Sequence, residues 1–244
     1  MKRIALLLAL LLVFCCACSK GDRMKERKET ADVFVDFTED VSNAFYPSDG
    51  WTNGDPFNCF WRRDNCVIEN GLLKLRIDGP TSANSLYYGG EYRSAEFFGY
   101  GKFEVCMKAI KNDGVVSSFF TYTGPSDQNP WDEIDIEFLG KETTKVQFNY
   151  FTDGVSGHEM LYDLGFDASE AFHVYGFEWH EDKIVWYVDD EPVYTATENL
   201  PVTPGKLMMN AWCGKGVDDW LAPFDDSNLP LTAEYRWFSF TAFH

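Results

Sequence analysis

The chain has 244 residues, with 39 Asp and Glu against 21 Lys and Arg, and its formal net charge is -18. This length suffices for one large domain or two small ones. Hydrophobic residues make up 45% and aromatic residues 17% of the chain, which excludes wholesale disorder. The negative charge would repel a phosphate backbone and no basic stripe offsets it, so we expect no nucleic-acid partner.

The amino terminus has the pattern of a secretory signal. Lys2 and Arg3 precede an apolar run over 4–14, which is too short to span a bilayer. Residues 15–18 (Cys-Cys-Ala-Cys) resemble the lipobox of bacterial lipoproteins. We therefore predict a signal peptide over 1–17, lipidation of Cys18, and export to a bacterial membrane or cell surface. Plain secretion is the alternative.

The next segment, 18–31, is charged and almost free of apolar side chains. A short helix there would have no apolar face to bury, so the composition predicts a charged tether. From residue 32 to 244 the composition shows no second linker, repeat or low-complexity run, which indicates a single domain.

Hydrophobic periodicity in this domain predicts strands. Apolar and polar residues alternate around 102–107 and 145–150, and further β-type runs lie at 115–122, 172–179, 183–189, 206–212 and 234–243. Turn clusters separate the runs, and no amphipathic helix longer than two turns is predicted. Many short strands without crossover helices indicate an antiparallel sandwich or barrel.

Four cysteines fall in the domain: Cys59, Cys66, Cys106 and Cys213. None forms a C-x-x-C pair, so a zinc site is not expected. Export permits disulfides, but the spacing leaves three complete pairings open, with buried thiols as the alternative.

One strand carries a row of acids. In the segment 131–138, Glu133, Asp135 and Glu137 alternate with apolar residues and so share one face. Three neighbouring carboxylates repel each other, so we expect Asp135 to raise the pKa of a neighbouring acid and the three acids to titrate as a coupled unit. Paired carboxyls of this kind suit glycoside hydrolysis, although their spacing alone does not distinguish retention from inversion. A calcium site and a solvated acidic face are the alternatives.

The segment 131–141, Trp-Asp-Glu-Ile-Asp-Ile-Glu-Phe-Leu-Gly-Lys, resembles the active-site strand of the bacterial lichenases, the endo-β-1,3-1,4-glucanases of glycoside hydrolase family 16. The resemblance covers essentially all of 32–244. It extends through 116–125, 145–150, 164–167, 203–206, 208–212 and 216–221.

This resemblance implies a β-jelly-roll sandwich of two curved antiparallel sheets with a concave substrate cleft. It implies that Glu133 is the nucleophile, that Asp135 assists it, and that Glu137 is the acid/base of a retaining mechanism that needs no metal or organic cofactor. The matched substrate-binding positions are Trp51, Asn53, Glu91, Arg93, Phe120, Tyr122, Trp131, Asn149, Glu159, Asn210, Trp212 and Trp220. For Phe120 and Tyr122, core packing is the alternative role.

Three positions depart from the family pattern. The family's disulfide partner of Cys59 is replaced by Gly89, and a cleft Tyr is replaced by Phe151. Arg236 stands where the family's structural calcium site has an acid, which disfavours calcium.

The spacing of Glu133 and Glu137 is the unbulged form of the family's strand, which favours mixed-linkage β-glucan as substrate. Hydrolysis of pure β-1,3-glucan or of xyloglucan by the same family is the alternative. A lipoprotein that binds glycans without hydrolysing them is the alternative from a different functional class. Such a protein would be expected to lack Glu133 or Glu137. We expect a monomer that contacts the membrane only through its lipid.

Overall fold

The computed structural model describes residues 20–38, 44–80 and 86–244, and its side chains from residue 23 onward. The predicted signal segment 1–17 and Cys18 lie outside these ranges. Two α-helices, α1 (Lys20–Thr30) and α2 (Asp218–Leu221), occur among the described residues. Neither has the length or apolar character needed to cross a bilayer. The strands of the described ranges are β1 (Val33–Asp36), β2 (Phe45–Pro47), β3 (Cys59–Trp61), β4 (Cys66–Glu69), β5 (Leu72–Ile77), β6 (Tyr87–Phe98), β7 (Gly101–Lys108), β8 (Val115–Thr123), β9 (Asp132–Leu139), β10 (Lys145–Phe151), β11 (Met160–Asp163), β12 (His173–Trp179), β13 (Ile184–Val188), β14 (Glu191–Ala196), β15 (Gly205–Cys213) and β16 (Leu231–Ala242).

The strands form two sheets. The first, here called the back sheet, has the order β14-β13-β12-β7-β16-β5-β4, and β1 also pairs with β16. The second, the site sheet, has the order β11-β10-β9-β8-β15-β6-β2. The pairs are antiparallel except that β3 runs parallel to β6 at the edge of the site sheet. The predicted antiparallel sandwich is therefore confirmed.

The core lies between the sheets and is rich in aromatic residues. Phe138 of the site sheet meets Tyr175 of the back sheet with ring centroids 4.8 Å apart, and Phe148 meets Trp186 at 5.6 Å. These four rings are almost completely buried. Side chains alternate between the two faces of a strand, so every second residue of the site sheet faces away from this core.

The predicted strand positions agree closely with the observed ones. The expected runs at 115–122, 172–179, 183–189, 206–212 and 234–243 correspond to β8, β12, β13, β15 and β16. In β7, the alternating apolar residues Phe103, Val105 and Met107 are fully buried, as their period of two predicts.

The predicted tether contains the helix α1, which contacts the back sheet. Arg23 and Arg27 form ion pairs with Asp190, and Arg27 also pairs with Glu104. The helix has no apolar stripe, as its composition indicates. It is held by charge pairing with acids that are distant in the sequence, which composition does not reveal.

Cys59, Cys66 and Cys213 are thiols. Burial raises the pKa of Cys66 and of Cys213 to about 12, and it raises the pKa of Cys59 as well. A Cβ atom at Gly89 would lie 2.9 Å from the Cys59 Sγ atom. The position that bears the family's second cysteine is therefore beside Cys59, but it carries no side chain here.

Candidate active site

The three acids of β9 lie in the middle of the site sheet. β9 pairs with β8 and β10 in continuous register over its length, so no bulge interrupts the segment from Glu133 to Glu137. Ile134 and Ile136 are fully buried against the back sheet. The acids consequently share the opposite face, which we call the cleft face.

The cross-strand neighbours of the acids are uncharged. Glu133 lies between Tyr122 of β8 and Phe151 of β10. The corresponding neighbours are Phe120 and Asn149 for Asp135, and Ser118 and Gln147 for Glu137. No basic side chain lies next to the carboxylates to stabilise their charge. Their mutual repulsion and their burial therefore raise their pKa values.

Glu133 is held by the residue before the strand. The indole nitrogen of Trp131 donates a hydrogen bond of 2.6 Å to a carboxylate oxygen of Glu133. The Trp131 ring is 38% exposed and stacks on Phe151, with centroids 4.7 Å apart and planes 12° apart. One side chain thus orients the carboxylate and offers an aromatic surface to a ligand.

Glu137 is held by two residues in succession. The side-chain nitrogen of Gln147 donates to a Glu137 carboxylate oxygen at 2.8 Å. The indole nitrogen of Trp220, in α2, donates to the Gln147 oxygen at 3.1 Å. Gln147 was not among the predicted site residues, because a lone glutamine in a strand has no chemical signature. Its register opposite Glu137 is the signal that could have indicated it.

Asp135 is the most enclosed of the three acids, with 4% of its surface exposed. The Trp186 indole of the back sheet donates to the Asp135 main-chain oxygen at 3.1 Å, which fixes the backbone at the centre of the row. The Asp135 side chain also forms a hydrogen bond with Glu133.

Burial is the largest cause of the raised pKa values in this row. It raises the pKa of Glu133 and of Glu137 to about 7, and the negative charge of Glu133 adds to the effect on Glu137. Burial and then the charges of Glu133 and Glu137 raise the pKa of Asp135 well above its usual range. The raised pKa favours the protonated form of Asp135, in which its carboxyl donates the hydrogen bond to Glu133.

Asp132 is a further structural residue that the sequence-based site prediction did not include. Its two carboxylate oxygens accept main-chain hydrogen bonds of 2.9 Å from Asp153, Val202 and Thr203. It points away from the cleft face and is 4% exposed. By tying two loops to the start of β9, it fixes the backbone next to Trp131 and Glu133.

A second polar group lies on β6 and β15. Glu91 faces Asn210 across the strands, is 2% exposed, and accepts a hydrogen bond from the Ser48 hydroxyl. Burial raises the pKa of Glu91, while the bonds from Ser48 and Asn210 and the charge of Arg93 act in the opposite direction. Of the predicted binding residues, Glu91, Arg93 and Asn210 are thus brought together.

Aromatic rings continue this group along the cleft face. The Arg93 guanidinium lies 5.0 Å from the Trp51 ring centroid. Trp212 is 3% exposed and lies 4.1 Å from Phe57 and 6.1 Å from Trp220, measured between ring centroids. A face across which aromatic rings alternate with amide and charged groups can stack on sugar rings and bond their hydroxyls.

The remaining predicted binding residues differ in their surroundings. Phe120 is 6% exposed and packs into the sheet face, whereas Tyr122 is partly exposed. The Asn53 side-chain oxygen accepts a bond of 3.0 Å from the buried Trp61 indole, so Asn53 supports the fold at this point. Asn149 lies beside Asp135, and its buried Oδ1 atom has no hydrogen-bond partner among the described residues. Glu159 is exposed ahead of β11, and its charge contributes to the raised pKa of Glu137.

Within the described ranges no group of three or more His, Cys, Asp or Glu side chains is arranged to hold a metal ion. The Arg236 guanidinium, at the position where the family's calcium site has an acid, lies 4.2 Å from the Phe172 ring centroid. Its charge is thus placed against an aromatic face.

Comparison with known proteins places this arrangement in context. Residues 53–237 match the family model described as glycosyl hydrolases family 16. A xylanase/beta-glucanase of Ruminococcus flavefaciens is 56% identical over 217 residues, which cover 86% of this chain and 27% of that protein. The chain therefore spans about a quarter of the length of that relative. A beta-glucanase of Paenibacillus polymyxa is 56% identical over 202 residues, covering 82% of this chain and 84% of that protein.

A solved structure extends the similarity to the fold. The crystal structure of a prokaryotic beta-1,3-1,4-glucanase (lichenase) derived from a mouse hindgut metagenome is 51% identical and superposes with a TM-score of 0.83. The match covers 86% of this chain and 99% of that chain. Together with the two stacked sheets, it confirms the predicted β-jelly-roll.

Proposed function

Since the chain belongs to glycosyl hydrolase family 16, we propose that it is an endo-acting retaining hydrolase that cleaves β-1,4 bonds in mixed-linkage β-1,3-1,4-glucans. The observation that carries the proposal is the row of acids on the unbulged strand β9. Glu133 and Glu137 are each held by a separate hydrogen-bond donor, and Asp135 lies between them.

In the proposed mechanism Glu133 attacks the anomeric carbon while Glu137 donates its proton to the departing glycosidic oxygen. This step breaks the glycosidic bond and forms a glycosyl ester on Glu133. Glu137, now ionised, takes a proton from water, whose oxygen attacks the anomeric carbon and releases Glu133. The raised pKa of Glu137 supports its role as the acid, because it keeps the carboxyl protonated up to about pH 7. The hydrogen bonds from Trp131 and Asp135 favour the ionised form of Glu133.

Two observations support mixed-linkage glucan as substrate. The matched structure from the mouse hindgut metagenome bears the name beta-1,3-1,4-glucanase, and β9 has the unbulged spacing that the family resemblance associates with this specificity. The presence of all three acids argues against a glycan-binding protein without activity. Hydrolysis of β-1,3-glucan or xyloglucan is the competing specificity.

We also propose that the protein is exported and anchored through a lipid on Cys18, on the basis of its signal-like amino terminus. We further propose that the protein binds β-glucan and acts as a monomer. It requires no metal or organic cofactor.

Release of reducing ends from barley β-glucan, laminarin, xyloglucan and carboxymethylcellulose tests the function. Cleavage of barley β-glucan far faster than the other three polymers, lost in the Glu133→Gln variant, is the expected result. Faster cleavage of laminarin or xyloglucan would overturn the specificity and leave the catalytic assignment intact. No cleavage of any polymer by the folded protein would overturn both.

A further inference from the structure

We infer that helix α1 sets the orientation of the anchored enzyme, so that the back sheet faces the lipid surface and the cleft opens away from it. The inference rests on the proposed lipid at Cys18. Its structural basis is the docking of α1 on the face of the sandwich that lies opposite the three acids.

The contact residues of α1 establish which face is covered. Glu104 of β7 lies between Phe103 and Val105, both of which are fully buried in the core between the sheets. By alternation, Glu104 points outward from the back sheet. The acids of β9 point outward from the site sheet, so α1 and the cleft occupy opposite faces of the sandwich.

The docking depends on Arg27. Its Nε atom lies 3.1 Å from a Glu104 oxygen, its Nη2 atom bonds to Asp190, and its guanidinium lies 5.3 Å from the Trp237 ring centroid. The side chains of Arg27 and Glu104 are only 14% and 8% exposed, so water screens this pair weakly. Arg23 adds a bond of 2.8 Å to Asp190 one turn earlier.

The end of α1 is also fixed. The Asp32 carboxylate accepts a hydrogen bond of 2.8 Å from the main-chain nitrogen of Ala242, and Val33 then pairs with Phe240 as β1 joins β16. The helix is thus held at its middle by arginines and at its carboxyl end by the back sheet. It cannot pivot freely about its last residue.

The short segment between Cys18 and the docked helix determines how the domain is oriented on the membrane. Cys18 precedes Lys20, the first residue of α1, by two residues, which span at most about 7 Å. Without the docked helix, the 14 residues from Cys18 to Asp32 could extend over about 45–50 Å and leave the domain free to rotate. With it, the lipid must enter the bilayer close to the back sheet.

The charge of α1 suits this placement. The helix contains five of the chain's 21 Lys and Arg residues and three of its 39 Asp and Glu residues. Its two arginines pair with Asp190 and Glu104, so the docked helix lowers the negative charge of the back sheet and with it the repulsion from an anionic membrane surface.

Energy transfer from protein labels to acceptor lipids tests the orientation on the full lipidated chain in vesicles. One donor is placed on Thr195→Cys, exposed on β14 of the back sheet, and another on Val155→Cys, 59% exposed beside Trp131 at the cleft. The parent chain without either substitution gives the background labelling of the native cysteines. We expect several-fold greater transfer from position 195 than from position 155.

The double variant Arg23→Ala/Arg27→Ala should bring the two efficiencies close together, because the domain then rotates on an extended segment. Lys25→Ala is the matched control on the same helix, since its side chain is 77% exposed, and it should preserve the difference. Equal transfer from both labels before any arginine is removed would overturn the inference, as would a difference that survives the double variant.

The lipid anchor at Cys18 and the proposed hydrolase activity can each be tested separately from the orientation. If Cys18→Ser leaves the protein in the membrane fraction, the anchor assignment is wrong and the orientation inference falls with it. Hydrolysis of barley β-glucan by the same vesicles reports on the proposed activity independently.

Discussion

The side-chain nitrogen of Gln147 lies 2.8 Å from a carboxylate oxygen of Glu137. This bond favours the ionised form of Glu137, whereas burial and the charge of Glu133 favour the protonated form. The balance leaves the pKa of Glu137 at about 7. An acid with this pKa is half protonated near neutral pH and can exchange its proton in both steps of a double displacement.

The rate on barley β-glucan should therefore fall as the pH rises through about 7, where Glu137 loses its proton. In Gln147→Ala the pKa of Glu137 should rise, so the basic limb of the kcat profile should move to higher pH while kcat at the optimum falls. Trp220→Phe, which removes the donor to Gln147 and keeps an aromatic ring at that position, should produce a smaller shift in the same direction. A basic limb that stays in place or moves to lower pH in Gln147→Ala would contradict this account.

Trp131→Phe separates orientation of the nucleophile from sugar stacking. Phenylalanine retains a ring to stack on Phe151 but loses the indole hydrogen bond that lowers the pKa of Glu133. The acidic limb of kcat/KM should move to higher pH. Loss of a hydrogen bond to a charged group, about 1.5–3 kcal/mol, corresponds to a fall in kcat of about 10- to 150-fold.

The matched variant is Phe151→Leu, which removes the stacking partner and keeps the indole donor. It should raise KM without moving the acidic limb. The same pH shift in both variants would show that the hydrogen bond from Trp131 does not control Glu133.

The raised pKa of Glu137 also predicts a dependence of stability on pH. A carboxyl whose pKa is about 7 in the folded state and near 4.5 when unfolded stabilises the folded state at pH values below about 4.5. This contribution is lost as the pH rises through about 7. In Glu137→Gln, the free energy of unfolding relative to the parent should therefore increase by about 1–3 kcal/mol between pH 5 and pH 8.

Urea unfolding at the two pH values measures this difference. Glu170→Gln, which alters an exposed carboxyl in the loop between β11 and β12, is the control and should show no such change. A constant difference between Glu137→Gln and the parent at both pH values would contradict the assigned shift.

Gly89→Cys should create a disulfide with Cys59. The Cβ position at residue 89 is 2.9 Å from the Cys59 Sγ atom, close to the distance that separates these atoms across a disulfide bond. Closing a loop of about 30 residues should stabilise the oxidised variant by about 2–4 kcal/mol. Thermal unfolding with and without reductant measures the gain.

Gly89→Ala is the control for the added Cβ atom, which would also lie 3.0 Å from the Ala211 main-chain oxygen. It should be less stable than the parent under both conditions. If Gly89→Cys melts at the same temperature with and without reductant, the bond does not form.

Local patterning was sufficient to predict much of the sandwich and the catalytic row. The alternation through Ile134, Ile136 and Phe138 assigns one face of β9 to the core, so it also assigns the acids to the other face. Helix α1 was not predicted as a docked element, because Arg27 reaches Glu104 across 77 residues of sequence.

Prediction was less complete for residues that act through others. Gln147 matters because it lies opposite Glu137 in the sheet, and Asp132 because two loops donate main-chain hydrogen bonds to it, while both residue types are common on any surface. Asn53 matches a family binding position, and its side-chain oxygen also accepts a hydrogen bond from the Trp61 indole that the match does not indicate. Such roles follow from strand register and loop contacts, which depend on the whole fold.

The stereochemistry of hydrolysis tests the central claim most directly, since it depends on Glu133 acting as nucleophile and Glu137 as acid/base. Proton nuclear magnetic resonance of the anomeric signal, recorded in the first minutes of hydrolysis of a mixed-linkage oligosaccharide, identifies the first product. We predict the β-anomer, followed by slow mutarotation, and no product from Glu133→Gln. Initial release of the α-anomer, or an active Glu133→Gln variant, would contradict the account.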